Sequence, residues 1–141
     1  MSALYTPAML AAAVELAQYP VLPAPCAEGR ARSTTCGSEV TVQLALAEDG
    51  LIARIGLQAR ACAVGQAAAA VFARHAPGRS ESAIAAAHDA LAGWLAGEGA
   101  QPDWPDLDLV APALDYPARH GAMLLPWKAA REALSSVPAS R

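Results

Sequence analysis

This sequence has little that could cluster positive charge, cross a membrane or build a disulfide framework. It has a single lysine, Lys128, and its nine arginines are scattered. The basic patch that tracks a phosphate backbone is therefore missing, and no nucleic-acid partner is expected. The longest apolar stretches, 61–76 and 83–96, are broken by Gln66, Arg74, His75, His88 and Asp89. Neither reaches the roughly 18–20 uninterrupted apolar residues that a bilayer span requires. No basic segment leads into an apolar run at the N-terminus, which reads as the absence of a secretory leader. Cys26, Cys36 and Cys62 are the only cysteines. An odd count without an export signal argues against a disulfide scaffold. Gly-rich phosphate loops and nucleophile elbows are also missing. The expectation is a cytoplasmic protein with no membrane partner.

What is present is apolar and small. Hydrophobic residues make up 55% of the 141 positions and charged residues 16%, with a net charge of -3. That balance excludes a disordered chain, and the length suits one domain. Alanine supplies 37 positions. Alanine buries little area, so the core must rest on Leu, Ile, Val, Met, Trp and the lone Phe72.

The pattern along the chain predicts an N-terminal helix over 3–19, started by Thr6 as a cap and Pro7 at the first helical position. Its apolar positions are Leu4, Met9 or Leu10, Val14 and Leu16. Pro20, Pro23 and Pro25 end it. Residues 26–35 read as a loop or short edge strand. Residues 39–47 place Val40, Val42, Leu44 and Leu46 on one face at period two, a half-buried strand. Glu48, Asp49 and Gly50 form a hairpin turn, and 51–59 return less cleanly. Helices follow at 61–76, at 80–96 with Ser80 as its cap, and at 119–135, with Pro126 near its first turns. The Pro-rich stretch 100–117 reads as a loop or short irregular helix. Its acids Asp103, Asp106 and Asp108 read as a solvated loop. The order of elements implies an α+β fold, a small antiparallel sheet with helices packed on one face. One domain spans 1–135, and 136–141 is a tail.

Chemistry concentrates at two thiols. Cys36 lies in a turn with Gly37 and Ser38 just before the first hairpin strand. Cys62 follows the return strand and opens a helix. The amide dipoles of a helix N-terminus favour a thiolate. The two strands form one hairpin, so Cys36 and Cys62 should meet at its open end. A soft-metal site needs three or four thiolate or imidazole ligands. His120, opening the last helix, is the best third ligand. His75 and His88 read as surface or partly buried polar residues. His88 and Asp89 do not share a helix face and so form no dyad.

The ordered motifs resemble the NifU/IscU/SufU-type iron–sulfur cluster assembly scaffolds. The matching stretches are Thr35, Cys36 and Gly37; the hairpin 40–58 with Asp49, Gly50, Leu51 and Ile52 at its turn; and Cys62 ahead of Ala67, Ala68, Ala69 and Ala70. The opening segment 3–20 and the run of Pro117, Ala118 and Arg119 toward Leu125, Trp127, Lys128 and Ala129 resemble the family's first and last helices. The resemblance covers roughly 5–135. It implies a three-stranded antiparallel sheet, with 28–34 as the third strand. It also implies a site at one sheet end for zinc or a nascent cluster, and a cysteine desulfurase as partner. Three positions depart from the pattern: Ser38 stands where the family carries an acid, Gly121 where the IscU type carries a histidine, and Ala122 where it carries a third cysteine.

Three readings follow. The first is a scaffold or sulfur acceptor, not an enzyme, that binds iron, zinc or a nascent cluster through Cys36, Cys62 and His120, with Cys26 as a substitute thiolate. The second is a metal-free adaptor or regulator that keeps the fold. The third, an enzyme with Cys62 as nucleophile and His120 as base, lacks an orienting acid and an oxyanion motif.

Overall fold

A computed structural model describes residues 4–23, 27–34 and 37–136. Thr6 opens α1 (Pro7–Glu15) by accepting the Met9 amide on its hydroxyl at 3.1 Å. A 3₁₀ turn, Leu16–Gln18, continues it. The inward face of α1 is Met9 and Ala12, whereas Leu10 and Val14 are 46% and 76% exposed. Of the predicted apolar positions, Met9 is buried and Leu4 and Leu16 pack against the core, whereas Leu10 and Val14 point outward. The small face of Ala12 is what allows α1 to lie close against the next helix.

Three antiparallel strands follow in the order β1 (Ala27–Arg32), β2 (Glu39–Leu46) and β3 (Ile52–Arg60). β1 pairs with β2 from Ala27 opposite Leu44 to Arg32 opposite Glu39. β2 pairs with β3 from Glu39 opposite Arg60 to Leu46 opposite Ile52. Ala45 faces Arg54 while Leu46 faces Ile52, so Ala53 is an extra residue in β3. This bulge explains the imperfect alternation of the return strand: the buried residues step from Ile52 to Ile55 before resuming at Leu57.

The helices cover one face of the sheet. They are α2 (Ala63–His75), α3 (Glu81–Leu95) and α4 (His120–Ser135), with α2 and α4 against the strands and α1 packed on α2. The helix α2 is buried almost all round, from Val64 to Ala73. Its run of Ala67, Ala68, Ala69 and Ala70 lets α1 and α4 approach together without a large side chain between them. Phe72, Trp104 and Trp127 form the aromatic centre, with ring centroids 5.3–5.7 Å apart. Trp104 donates its indole N–H to the Val71 carbonyl at 3.0 Å. Ser80 caps α3 by accepting the Ala83 amide at 3.1 Å.

Residues 107–119 form three short 3₁₀ turns, the irregular helix that the prolines suggested. Two expectations need correction here. Pro126 lies in the interior of α4, where it cannot donate to the Ala122 carbonyl. Asp106 is not a solvated loop residue. Its φ is 68°, and its carboxylate meets His75 at 2.7 Å and Arg74 at 3.2 Å. Of the predicted tail, 136–141, Ser136 caps α4, and 137–141 lie outside the described residues.

Candidate functional site: the thiol end of the sheet

One end of the sheet gathers the sequence motifs. There β1, β2 and β3 align at Arg32, Glu39 and Arg60. The turn from β1 to β2 is tied by two backbone hydrogen bonds: Ser33 N–H to the Ser38 carbonyl at 2.8 Å, and Gly37 N–H to the Ser33 carbonyl at 2.9 Å. Gly37 takes φ 76°, a left-handed conformation that glycine adopts without strain. Cys36 precedes it in the chain. Cys36 and Cys26 lie outside the described residues. Ser38, where the family carries an acid, is buried.

Cys62 stands two residues past Arg60 and caps α2 with extended backbone dihedrals and no side-chain cap bond. It is half-buried and packs against the core, with its thiol free. The extended conformation follows from the strand that feeds it. The next turn of α2 is fixed by Gln66, whose amide N–H donates to the Cys62 carbonyl and whose side chain donates to the Ala61 carbonyl.

The first turn of α4 closes this corner. A Cβ on Gly121 would sit 2.7 Å from Ser33 Oγ, so the helix rests directly on the end of β1. Ala122 is fully buried, and its Cβ lies 3.4 Å from where a Gly65 Cβ would be. A Cβ on Gly65 would also come 2.8 Å from the Ala61 Cβ. Ala122 therefore reaches the first turn of α2, beside Ala61 and Cys62. The Ser33 hydroxyl beneath Gly121 is buried without a hydrogen-bond partner. Such an orphan costs about 1–3 kcal/mol. A cavity of about 150 Å³ opens beside it, between Arg32, Thr34, Leu124 and Lys128.

His120 is half-buried and is engaged elsewhere. A carbonyl can only accept, so His120 donates Nε2–H to Leu114 at 2.7 Å, which leaves Nδ1 with the lone pair. Residues two apart on a helix point roughly 200° apart. His120 therefore leaves α4 on the side opposite Ala122 and the α2 terminus. Among the described residues, no three His, Cys, Asp or Glu side chains gather at one point. The donors among the described residues do not by themselves make up a closed metal site.

The other histidines make structural contacts. His75 meets Asp106, whose carboxyl is held below the usual range first by that hydrogen bond and then by Arg74. His88 and Asp89 do touch, at 3.2 Å between Nδ1 and Oδ1, contrary to the expectation from helix faces. Arg131 of α4 reaches both side chains and draws them together at the surface. Trp94 and Trp104 are both buried.

A three-stranded antiparallel sheet flanked on one face by helices, with a thiol at one end of the sheet, defines the class as an α+β domain. Solved structures agree. The N-terminal part of a nitrogen-fixing NifU-like protein from Brucella abortus superposes with a TM-score of 0.86 at 31% identity, covering 95% of this chain and 94% of that one. A protein from the thermophile Fervidobacterium islandicum, assigned as an iron–sulfur cluster assembly scaffold for the SUF system, superposes with a TM-score of 0.80. It is 18% identical, covers 93% and 96% of the two chains, and supports the fold alone. Neither a scan of protein-family models nor a search of curated proteins returns a match. On the first of these similarities, the chain belongs to the NifU-like family of the NifU/IscU/SufU type.

Proposed function

We propose that this protein serves iron–sulfur cluster assembly as a scaffold-type sulfur acceptor, with Cys36 and Cys62 as its thiolate pair. The observation that carries this reading is the half-exposed Cys62 thiol at the sheet end toward which the Ser33 and Ser38 turn also leads, in a fold shared at 31% identity with a NifU-like protein. The partner in this reading is a cysteine desulfurase, and the cargo is sulfur, iron, zinc or a nascent cluster. The setting is the cytoplasm; no helix among the described residues is long and apolar enough to cross a membrane. The role is transfer rather than turnover of a small substrate.

The chemical step is thiol exchange at a persulfide. A Cys62 or Cys36 thiolate attacks the terminal sulfur of the partner's persulfide. A new S–S bond forms on this chain while the partner's S–S bond breaks, and the partner leaves as a thiolate. No external oxidant is required. Metal cargo would need donors beyond the thiol pair; His120 points away and donates to the Leu114 carbonyl.

The test is anaerobic incubation of the full chain with a cysteine desulfurase and free cysteine, followed by intact mass. The expected result is a gain of one sulfur atom per chain. Cys62→Ala or Cys36→Ala should lower the gain, and the double variant should abolish it. A chain that gains no sulfur, while a control acceptor in the same mixture does, favours the second reading, a metal-free adaptor that binds partners without carrying sulfur.

A further inference from the structure

The corner between Cys62 and the first turn of α4 is closed by packing of small residues. Gly121 rests on Ser33, and Ala122 rests against the Gly65 and Ala61 turn of α2. Neither Gly121 nor Ala122 carries a donor side chain. Ser38, on the facing turn, is buried and carries a neutral hydroxyl. Neutral hydroxyls are not among the usual protein ligands of zinc, which are thiolates, imidazoles and carboxylates. His120 points away from this corner and donates to Leu114. The Ser33 Oγ, buried and without a partner under Gly121, is a polar atom facing a place where no ligand side chain exists.

We infer that this chain holds no resident metal of its own: no donor side chain stands at Ser38, Gly121 or Ala122 to join the Cys36 and Cys62 thiolates, so metal cargo stays only when ligands from outside the chain complete its coordination. This inference rests on the reading of Cys36 and Cys62 as the thiolate pair. It adds to that reading that the chain alone handles sulfur and cannot retain metal. It also names the positions responsible, Ser38, Gly121 and Ala122, none of which carries a metal-binding side chain.

The test is a zinc titration of the reduced, metal-free full chain in thiol-free buffer, competed against a chromophoric chelator. Wild type should fail to withhold one zinc per chain. Ser38→Asp combined with Ala122→Cys should restore one zinc per chain, held at least about a hundredfold more tightly than by wild type, a change at the upper end of what loss of a single outer-shell partner costs. Adding Cys62→Ala to that variant should remove the gain. If the double variant fails to fold by circular dichroism, Ala122→Cys alone, which adds one heavy atom, makes the same comparison. Stoichiometric zinc retained by wild type overturns the inference, and its loss with His120→Ala or Cys26→Ala names the donor. A folded Ser38→Asp, Ala122→Cys chain that binds no more zinc than wild type overturns it as well. Failure of the sulfur-acceptor reading appears separately, as a chain that gains no sulfur from the desulfurase whatever the zinc result.

Discussion

The two ends of α2 are built in opposite ways. At its C-terminal end, Arg74 forks onto the Glu15 carboxylate of α1, with contacts of 2.6–3.0 Å, and reaches Asp106 at 3.2 Å. Tyr19 adds its hydroxyl to Glu15 at 3.2 Å, and Arg79 donates to the His75 carbonyl at 2.7 Å. At its N-terminal end there is an uncapped Cys62, a glycine against two alanines, and an unpaired Ser33 hydroxyl across the gap. One end is over-determined by directional polar contacts between elements, and the other is held mainly by shape, with Gln66 donating to the Ala61 carbonyl within its own turn. Rigidity is placed away from the thiol, and the thiol end keeps few polar partners of its own. A site that must accept and release cargo is drawn from the weakly determined part of a structure.

The largest expected effect is at the polar end. Arg74→Met removes the partner of a mostly buried carboxylate and should destabilise the fold by about 2–3 kcal/mol, below the range for fully buried pairs because both groups keep some water. Chemical denaturation of the variant measures it. The same contacts set a pH dependence. Hydrogen bonding to Arg74 holds the Glu15 carboxyl below its ordinary range, and hydrogen bonding to His75 does the same for Asp106. Their stabilisation is complete above the unfolded-state carboxylate range and is lost as pH falls through the lower folded-state values. Thermal midpoints followed from neutral pH into acid should fall more steeply for wild type than for Arg74→Met. Equal slopes would remove the network from the account.

This polar end was the least legible part of the sequence. Nothing in the spacing links Glu15, Arg74 and Asp106, because their meeting depends on how α1 and the 3₁₀ segment dock on α2. The strand β1 was also obscure. Its inward residues are Ala27, Gly29 and Ala31, and a Cβ on Gly29 would run into the Ala129 carbonyl. The helix backbone lies so close that only small residues fit, so the strand carries no apolar alternation and resembles a loop. The hairpin was readable because β2 faces a core deep enough for Val40, Val42 and Leu44. The convergence of Gly37 and Cys62 at one sheet end follows from that hairpin alone. The direction of His120 does not, since it depends on where the preceding 3₁₀ turn hands over to α4.

A smaller effect is expected at the shape-held end. Gly65→Ala places a Cβ 2.8 Å from that of Ala61, and neither atom can swing away. The gain of about 1 kcal/mol in helix propensity is outweighed by overpacking of about 1–3 kcal/mol, for a net loss near 1 kcal/mol. Urea denaturation should show that loss, together with faster alkylation of Cys62 as the α2 and α4 turns separate. A stabilised Gly65→Ala chain would mean that the corner has slack, and that closure by packing is overstated.

The smallest effect should have the opposite sign. Ser33→Ala deletes the buried hydroxyl that has no partner and leaves the methyl-sized group on which Gly121 rests. Removing an unsatisfied polar atom without creating a cavity of any size should raise stability by up to about 1 kcal/mol. No comparable gain is available at the other end of α2, where removing a polar group strips a partner from Arg74. If Ser33→Ala instead destabilises the fold, its hydroxyl has a partner in solution, and the thiol end is as polar in its construction as the end that Arg74 secures.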